Sequence, residues 1–223
     1  MTGHFPETEM VVIINHQHSP RIQAMSVSEL PTIARFSVDS LEVFVFEIRA
    51  LAGRAAARDV AQAIAARQTV AGRANVVFAA APSQNEFLAG LVADQEIDWT
   101  RVVAFHMDEY LGINADHPIS FRRYLQEHLF RLVGLRADRL RLIAGEQVER
   151  PLQTCLAYEE ILRAEPTDIV CAGIGENGHL AFNDPPVADF LDPVLVKVVR
   201  LEAACRNQQV NDVGLSSLAD VPT

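Results

Sequence analysis

Short, continuously apolar segments alternate along this chain with stretches of helical periodicity. Residues 75–80 (NVVFAA), 101–105 (RVVAF) and 168–172 (DIVCA) are largely apolar, as strands are when both faces of their sheet are covered. Between these segments lie alanine-rich or amphipathic stretches of helical length. This alternation predicts an α/β fold with a doubly wound, mostly parallel sheet and helices on both of its faces.

Weaker patterns complete the predicted order of elements. They indicate further strands at residues 41–47, 140–144 and 195–199, and helices at residues 48–67, 86–94, 120–132 and 151–164. The first strand and the first helix of this set form the first β-α unit. Residues 1–38 have weak periodicity, so we interpret them as an N-terminal extension that precedes one α/β domain at residues 39–223.

Composition excludes several classes of function. The 223 residues include 29 acidic and 19 basic residues, which gives a formal charge of −10. Nucleic acids and anionic membranes are bound by basic surfaces, so we expect neither as a partner. Lys197 is the only lysine, and it lies in an apolar run rather than after a glycine-rich loop. A P-loop nucleotide site is therefore excluded, and covalent catalysis through a lysine amine is disfavoured.

The cysteines and the apolar runs indicate a cellular location. Cys155, Cys171 and Cys205 are far apart and form no CxxC pair, which is typical of reduced thiols in a cytosolic protein. The apolar run at residues 10–14 is too short for the core of a signal peptide, and no run approaches the roughly 18 apolar residues of a membrane helix. We therefore expect a cytoplasmic protein without a membrane span.

Three of the predicted strands end in unusual loops, at residues 80–85, 106–118 and 173–186. In doubly wound sheets, ligands bind beyond the carboxyl ends of the strands. We therefore expect the functional site where these three loops converge.

The third loop begins with GIGENG at residues 173–178, which matches the GxGxxG pattern of dinucleotide sites. Such a fingerprint opens a long helix, whereas Pro185 and Pro186 end any helix here after about two turns. The sequence therefore argues against a dinucleotide site and indicates a tight loop that glycines permit.

This tight loop places three polar side chains close together, those of Asn177, His179 and Asp184. A nearby carboxylate fixes the tautomer of an imidazole and raises its basicity. The grouping favours a general acid/base role for His179. A buried histidine satisfied by a backbone carbonyl is the structural alternative.

Asp108 and Glu109 follow the predicted strand at residues 101–105. In an extended chain, neighbouring side chains point to opposite faces, so these two do not form a paired dyad. One carboxylate is expected to face the cleft and the other to be structural. A partly desolvated carboxylate can take a proton from carbon, and a loop-capping acid is an equally good interpretation of this segment alone.

Ser83 follows a strand and precedes a predicted helix, where backbone N–H groups favour an anion such as phosphate. Helix capping explains Ser83 equally well. The histidines have none of the short ligand spacings typical of metal sites, so we expect neither a metal nor a cofactor.

Three segments together resemble the signatures of one enzyme family. They are FHMDEYLGI at residues 105–113, DHPISF at residues 116–121 and GIGENGHLAFNDPP at residues 173–186. In this order and spacing, over about residues 41–223, the chain resembles the glucosamine-6-phosphate deaminase/isomerase family. The resemblance implies a modified Rossmann-like fold, often in homo-oligomers, that converts glucosamine 6-phosphate and water into fructose 6-phosphate and ammonia without a cofactor.

The resemblance also implies catalytic roles. Asp108 matches the base that removes the C2 proton after the sugar ring opens. His179 matches the acid/base that opens the ring, and Asn177 and Asp184 match the positions that orient and polarise it.

Phosphate binding is implied at two places. Arg206 matches an arginine that binds the substrate phosphate. The loop that contains Ala80, Ala81, Ser83 and Gln84 matches the loop that binds the phosphate through backbone groups and hydroxyls.

The chain departs from the family pattern at several positions. Asn177 stands where many members have Asp, and Asp184 stands where Glu is commoner. Residues 80–82 (AAP) replace a turn of Thr-Gly-Gly type, which removes a hydroxyl and a backbone N–H from the phosphate loop. The chain ends at Thr223, before the family's final segment and its phosphate-binding lysine, so we expect C-terminal elements of the fold to be missing.

Two other functions remain open at this point. A 6-phosphogluconolactonase has a related fold and a similar glycine-and-histidine loop, but its loop normally continues toward Ser-Leu-Phe-Pro and it lacks the MDEY segment. A non-catalytic protein that binds a sugar phosphate is consistent with the altered phosphate loop and the missing segment.

Overall fold

A computed structural model of the protein describes residues 11–14, 30–213 and 217. The predicted N-terminal extension therefore lies mostly outside the described residues. The strands are β1 (Val11–Ile14), β2 (Ala34–Val38), β3 (Leu41–Val45), β4 (Ala74–Phe78), β5 (Val102–His106), β6 (Leu140–Arg141) and β7 (Ile169–Cys171). The helices are α1 (Arg49–Ala71), α2 (Asn85–Ala93), α3 (Phe121–Leu125), α4 (Pro151–Ala164) and α5 (Ala203–Val213).

A parallel sheet of four strands forms the centre of the domain. Its order is β6-β5-β4-β7, and every pairing in it is parallel. This confirms the predicted α/β fold with a mostly parallel sheet.

Helices cover both faces of this sheet. Val76 and Phe78 of β4 face a cluster built with α1, α2 and α3, whereas Val77 faces a second cluster that includes Tyr158 of α4. Successive side chains of a strand point to opposite faces, so a strand between two helical layers must be apolar throughout. An unbroken apolar run therefore predicts this strand correctly.

A separate antiparallel sheet, in the order β1-β3-β2, precedes the parallel one. We expected β3 and α1 to be the first unit of the parallel sheet, and this is wrong. A tight turn joins β2 to β3, so the two strands can pair only in antiparallel orientation. Asp39 in this turn has a φ of 52°, a left-handed conformation that aspartate tolerates.

The antiparallel sheet contains strands from both sides of the predicted domain boundary at residue 38. β2 lies within the predicted extension and is paired with β3 along its whole length. The sheet thus crosses that boundary, and the division of the chain at residue 38 stays a prediction.

The prediction of a strand at residues 195–199 is wrong. This stretch is irregular, and most of its apolar side chains are about half exposed. Only Val196 is packed against a core cluster. Lys197 Nζ donates to the carbonyl of Val187 at 2.7 Å and to the Asp192 carboxylate at 2.8 Å. These bonds hold the stretch against the preceding loop rather than beside a strand.

Two other elements are shorter than predicted. The strand expected at residues 140–144 has two residues. The helix expected at residues 120–132 begins after Ser120, whose hydroxyl caps it, and changes after Leu125 into a π turn. Within the described residues, none of the helices combines the length and apolar character needed to cross a membrane.

Two glycines allow α1 and α2 to pack closely. A Cβ on Gly53 would lie 2.5 Å from the Glu86 Cβ and 2.7 Å from the Glu86 carbonyl carbon. A Cβ on Gly90 would lie 2.6 Å from the Ala57 Cβ. This contact fixes the position of α2, whose N-terminal end lies next to the functional cavity described below.

We predict that Gly53→Ala destabilises the protein. Alanine favours an α-helix by about 1 kcal/mol over glycine, but overpacking against the backbone of α2 costs about 1–3 kcal/mol. The free energy of unfolding in urea should therefore fall by up to about 2 kcal/mol. Gln62→Ala, at an exposed position of the same helix, is the control and should change it by less than about 0.5 kcal/mol. A rise in stability for Gly53→Ala would contradict the close contact.

Candidate active site

A cavity of about 220 Å³ lies at the carboxyl ends of β4, β5 and β7. The three loops that follow these strands form most of its wall, as predicted from the sequence. This volume is below the roughly 300–1,000 Å³ typical of pockets for drug-sized ligands, which favours a small metabolite. The predicted site residues that line it are Ala80, Ala81, Ser83, Gln84, Asp108 and His179.

Asp108 and Glu109 point in different directions, as the extended chain predicts. Asp108 lines the cavity. The Glu109 side chain is fully buried and accepts hydrogen bonds from the Ser120 hydroxyl at 2.8 Å and from the Phe121 N–H at 3.1 Å. It also accepts from both the backbone N–H and the guanidinium Nε of Arg122, each at 3.1 Å. Glu109 therefore ties the loop after β5 to the start of α3 and is structural.

The environment of Asp108 favours its neutral form. Burial, with a further contribution from the negative charge of Glu109, raises the pKa of Asp108 to about 7. A carboxyl group with such a pKa is half ionised near neutral pH, so it can both accept and return a proton.

Asn177, His179 and Asp184 form one hydrogen-bonded group, so the loop brings together the three side chains that the sequence singled out. His179 Nδ1 lies 2.6 Å from Asn177 Oδ1 and 3.1 Å from Asp184 Oδ1. Asn177 Nδ2 donates to Asp184 Oδ1 at 3.0 Å. Because both neighbours of Nδ1 are oxygen acceptors, the proton of the neutral imidazole resides on Nδ1 and the lone pair on Nε2. His179 lines the cavity, whereas Asn177 and Asp184 do not.

A glycine sets the position of the His179 ring. A Cβ on Gly175 would lie 2.1 Å from His179 Cε1, 2.3 Å from Nε2 and 2.5 Å from Nδ1. The ring therefore occupies the space that any larger residue at position 175 would fill.

Helix α5 contributes groups for which the sequence patterns give no signal. The Cys205 sulfur lies within 4.8 Å of the Asp184 carboxylate, and burial together with that carboxylate raises the pKa of Cys205 to about 12. Gln208 and Gln209 line the cavity. Tyr110 Oη donates to Gln209 Oε1 at 2.7 Å, which connects α5 to the loop after β5. These residues lie far from the motifs along the chain, so only the fold brings them to the site.

Two side chains, those of Arg49 and Tyr124, hold the loop after β4 in place. Arg49 donates to the carbonyl of Pro82 at 2.9 Å and is paired with Glu86 at 2.8 Å. Tyr124 Oη donates to the carbonyl of Ala81 at 2.7 Å. With its carbonyls engaged in this way, the loop leaves Ser83 and neighbouring groups on the cavity side.

Arg206 does not line the cavity. It lies on α5, and its backbone N–H donates to the carbonyl of Glu202 at 2.9 Å. Its assignment to phosphate binding stays a prediction. Among the described residues of the cavity wall, none is a lysine or an arginine.

Three aromatic rings join the loops around the cavity. Tyr110, Phe121 and Phe182 have ring centroids 5.1–5.3 Å apart in all three pairs. They come from the loop after β5, the start of α3 and the loop after β7. Their packing fixes the relative positions of the two loops that carry Asp108 and His179.

Comparison with known proteins identifies the family to which the chain belongs. Residues 49–184 match the family model described as glucosamine-6-phosphate isomerases/6-phosphogluconolactonase. The chain belongs to this family. The match includes the loops of β4, β5 and β7, and it confirms the resemblance inferred from the motifs.

Individual members of the family resemble the chain over part of their length. A glucosamine-6-phosphate deaminase of Lysinibacillus sphaericus is 33% identical over 138 residues, which are 62% of this chain and 59% of that protein. The chain therefore spans about three-fifths of the length of this relative.

Solved structures of the family share the fold. A monomeric glucosamine-6-phosphate deaminase aligns with a TM-score of 0.68 and 24% identity, over 78% of this chain and 70% of that one. A 6-phosphogluconolactonase from Shewanella baltica aligns with a TM-score of 0.54 and 22% identity, over 60% of this chain and 57% of that one. Both branches of the family therefore have this architecture.

We predict that Gly175→Ala displaces the His179 ring, because the new methyl group would occupy its place. In NMR spectra, the imidazole resonances of His179 should shift. Glu176→Ala, which alters an exposed neighbour in the same loop, is the control and should leave these resonances in place. Unchanged His179 resonances in Gly175→Ala would refute the close contact.

Proposed function

We propose that this family member deaminates and isomerises glucosamine 6-phosphate, yielding fructose 6-phosphate and ammonia. The observation that carries the proposal is that Asp108 and His179 line the same cavity. One has a pKa close to neutrality, and the other has a lone pair on Nε2. The site thus has two separate groups for proton transfer, as an aldose–ketose isomerisation requires.

In the proposed reaction, His179 acts first. Its Nε2 takes the proton of the C1 hydroxyl and passes it to the ring oxygen as the bond between C1 and that oxygen breaks, so the pyranose opens to the aldehyde. Asn177 and Asp184 hold the Nδ1 side of the ring and stabilise the imidazolium that forms.

Asp108 acts on the open chain. Its carboxylate removes the proton from C2, and the electron pair forms the C1–C2 double bond of an enolamine while the aldehyde oxygen is protonated. A proton then returns to C1, which leaves an imine at C2. Water adds to this imine and ammonia leaves, so the products are fructose 6-phosphate and ammonia.

Two features support the binding of a phosphate group. Ser83 and the backbone around it border the cavity at the N-terminal side of α2, where the helix dipole favours an anion. Gln84 and Gln208 add neutral donors. The anion would be held by these groups, with Arg206 as a further predicted contact.

A lactonase is the second candidate, because 6-phosphogluconolactonases share the fold. Hydrolysis of a lactone breaks no bond between carbon and hydrogen, and its only proton transfers are those of the attacking water and the leaving alcohol, which one base such as His179 can carry out. A second base in the same cavity, Asp108, therefore favours the deaminase. Its relatives at about 30% identity are also named deaminases.

Location and assembly stay predictions. The separated reduced cysteines favour the cytoplasm, and the family resemblance favours a homo-oligomer. The solved deaminase with this fold is described as monomeric, so a monomer is the alternative for the present chain.

We predict that Asp108→Asn abolishes most of the ammonia release from glucosamine 6-phosphate. General base catalysis contributes about 10²–10⁴-fold to rate, so kcat should fall by that factor while KM changes little. Asp138→Asn, on an exposed acid remote from the cavity wall, is the matched control and should retain full activity.

The assay should include 6-phosphogluconolactone and the phosphates of galactosamine and N-acetylglucosamine. Release of ammonia that persists in Asp108→Asn would refute the role of Asp108. Turnover of the lactone alone would favour the lactonase. Tight binding of sugar phosphates in calorimetry without any turnover would favour a non-catalytic binding protein.

The pKa of Asp108 predicts opposite effects of pH on activity and stability. Only the ionised carboxylate is a base, so kcat/KM should fall about tenfold per pH unit below pH 7. The folded state binds the Asp108 proton more tightly than the unfolded state, whose pKa is near 3.8. The contribution of this group to stability is therefore present at low pH and is lost as the pH rises from about 4 to 7.

Asp108→Asn should thus raise the melting temperature at pH 8, because it removes a buried charge. The gain should shrink toward pH 4, where the aspartic acid of the folded protein is neutral and no buried charge remains to be removed. Differential scanning calorimetry at several pH values measures this. An equal effect of the substitution at pH 8 and pH 4 would contradict the raised pKa.

A further inference from the structure

His179, Asp184 and Cys205 form a cluster of three side chains with different donor atoms. A ring nitrogen of His179, a carboxylate oxygen of Asp184 and the sulfur of Cys205 all lie within 4.8 Å of one another. All three residues are buried. Two of them belong to the loop after β7, and the third belongs to α5.

The donor set suits zinc better than magnesium or calcium. Thiolate sulfur and imidazole nitrogen are ligands that zinc prefers, and one carboxylate commonly completes such sites. Zn²⁺ with one thiolate, one carboxylate and a neutral imidazole has no net charge. Burial of the complete site therefore avoids the large cost of an unpaired buried charge.

The three ligands are held in place by other contacts. Asp184 Oδ2 accepts from the backbone N–H of Glu202 at 2.8 Å, and Gly175 confines the His179 ring. Cys205 is 1% exposed and is fixed on α5. Ligands that are already positioned lose little conformational entropy when a metal binds.

We propose that His179, Asp184 and Cys205 bind Zn²⁺, and that the bound ion inhibits the enzyme. The ion would replace the thiol proton of Cys205, which leaves to solvent. It would also take the position of the Nδ1 proton of His179, which moves to Nε2. The fourth coordination position would be taken by water, since His179 borders the cavity.

Inhibition follows from the proposed function, on which this part of the inference rests. With Nδ1 on the metal and the proton on Nε2, the imidazole has no lone pair for ring opening. The Asp184 carboxylate is also withdrawn from its contact with His179. Cys205 would thus make activity sensitive to zinc.

Zinc binding is tested by titration of the purified, metal-free protein with Zn²⁺ in a calorimeter. We expect one ion per chain and an affinity at least about tenfold lower in Cys205→Ser, because the hydroxyl cannot supply a thiolate ligand. Serine differs from cysteine by one atom of similar size, so we expect the fold to be preserved, and thermal unfolding verifies this. Cys155→Ser is the matched control, since Cys155 lies on α4 outside the cluster.

Titration with Co²⁺ supplies a second measurement on the native sequence. A thiolate-to-cobalt charge-transfer band should appear in the native protein and in Cys155→Ser, and it should be lost in Cys205→Ser. Equal zinc affinity in the native protein and Cys205→Ser would overturn the site. So would an equal loss in Cys155→Ser, or no binding at all.

The inhibitory effect is tested separately, by ammonia release with and without Zn²⁺ and after removal of zinc with a chelator. Reversible inhibition that Cys205→Ser weakens at least about tenfold would support the proposal. Zinc binding through Cys205 that leaves ammonia release unchanged would overturn the inhibitory role. A metal-free protein that releases no ammonia would refute the proposed function, while the titrations would still decide whether the zinc site exists.

Discussion

Parallel pairing on both sides of β4 is the constraint on which the rest of this structure depends. Phe78 at the end of β4 is in register with His106 of β5 and with Cys171 of β7. Because parallel strands run in one direction, the three loops that follow them must leave the sheet at the same edge. Every group proposed for chemistry is on these loops or on α5, which closes the cavity beside them.

The loop after β5 shows how two adjacent acids acquire different properties. Glu109 is surrounded by hydrogen-bond donors and anchors α3, whereas Asp108 faces the cavity and has its pKa raised to about 7. The charge of the structural acid contributes to that rise. The residue that secures the loop therefore also tunes the proposed base, and Arg122 limits the cost of burying the structural carboxylate.

Sequence patterns predict the strands of this fold that are buried on both faces of the sheet. β4 and β5 are such strands, and so their apolar runs were sufficient. The antiparallel sheet was missed because its pairing depends on a tight turn at Asp39 without a typical Asn-Gly or Asp-Gly signal. The stretch around Val196 is as apolar as a strand, but its contacts to the preceding loop, which periodicity does not report, replace strand pairing.

The residues of the candidate site also fall into a group that the sequence predicts and a group that it does not. Asn177, His179 and Asp184 lie in one loop, so their spacing predicted that they meet. Cys205 and Gln209 come from α5, and no local pattern connects a helix of polar residues to a loop formed about 25 positions earlier.

The contact between Gly175 and the His179 ring has an evolutionary consequence. Three ring atoms of the histidine lie within 2.5 Å of the place where a side chain at position 175 would begin. Substitutions at positions 175 and 179 are therefore coupled. A lineage that loses the imidazole releases position 175 from its requirement for glycine, so larger residues there would mark relatives that have abandoned this chemistry while retaining the fold.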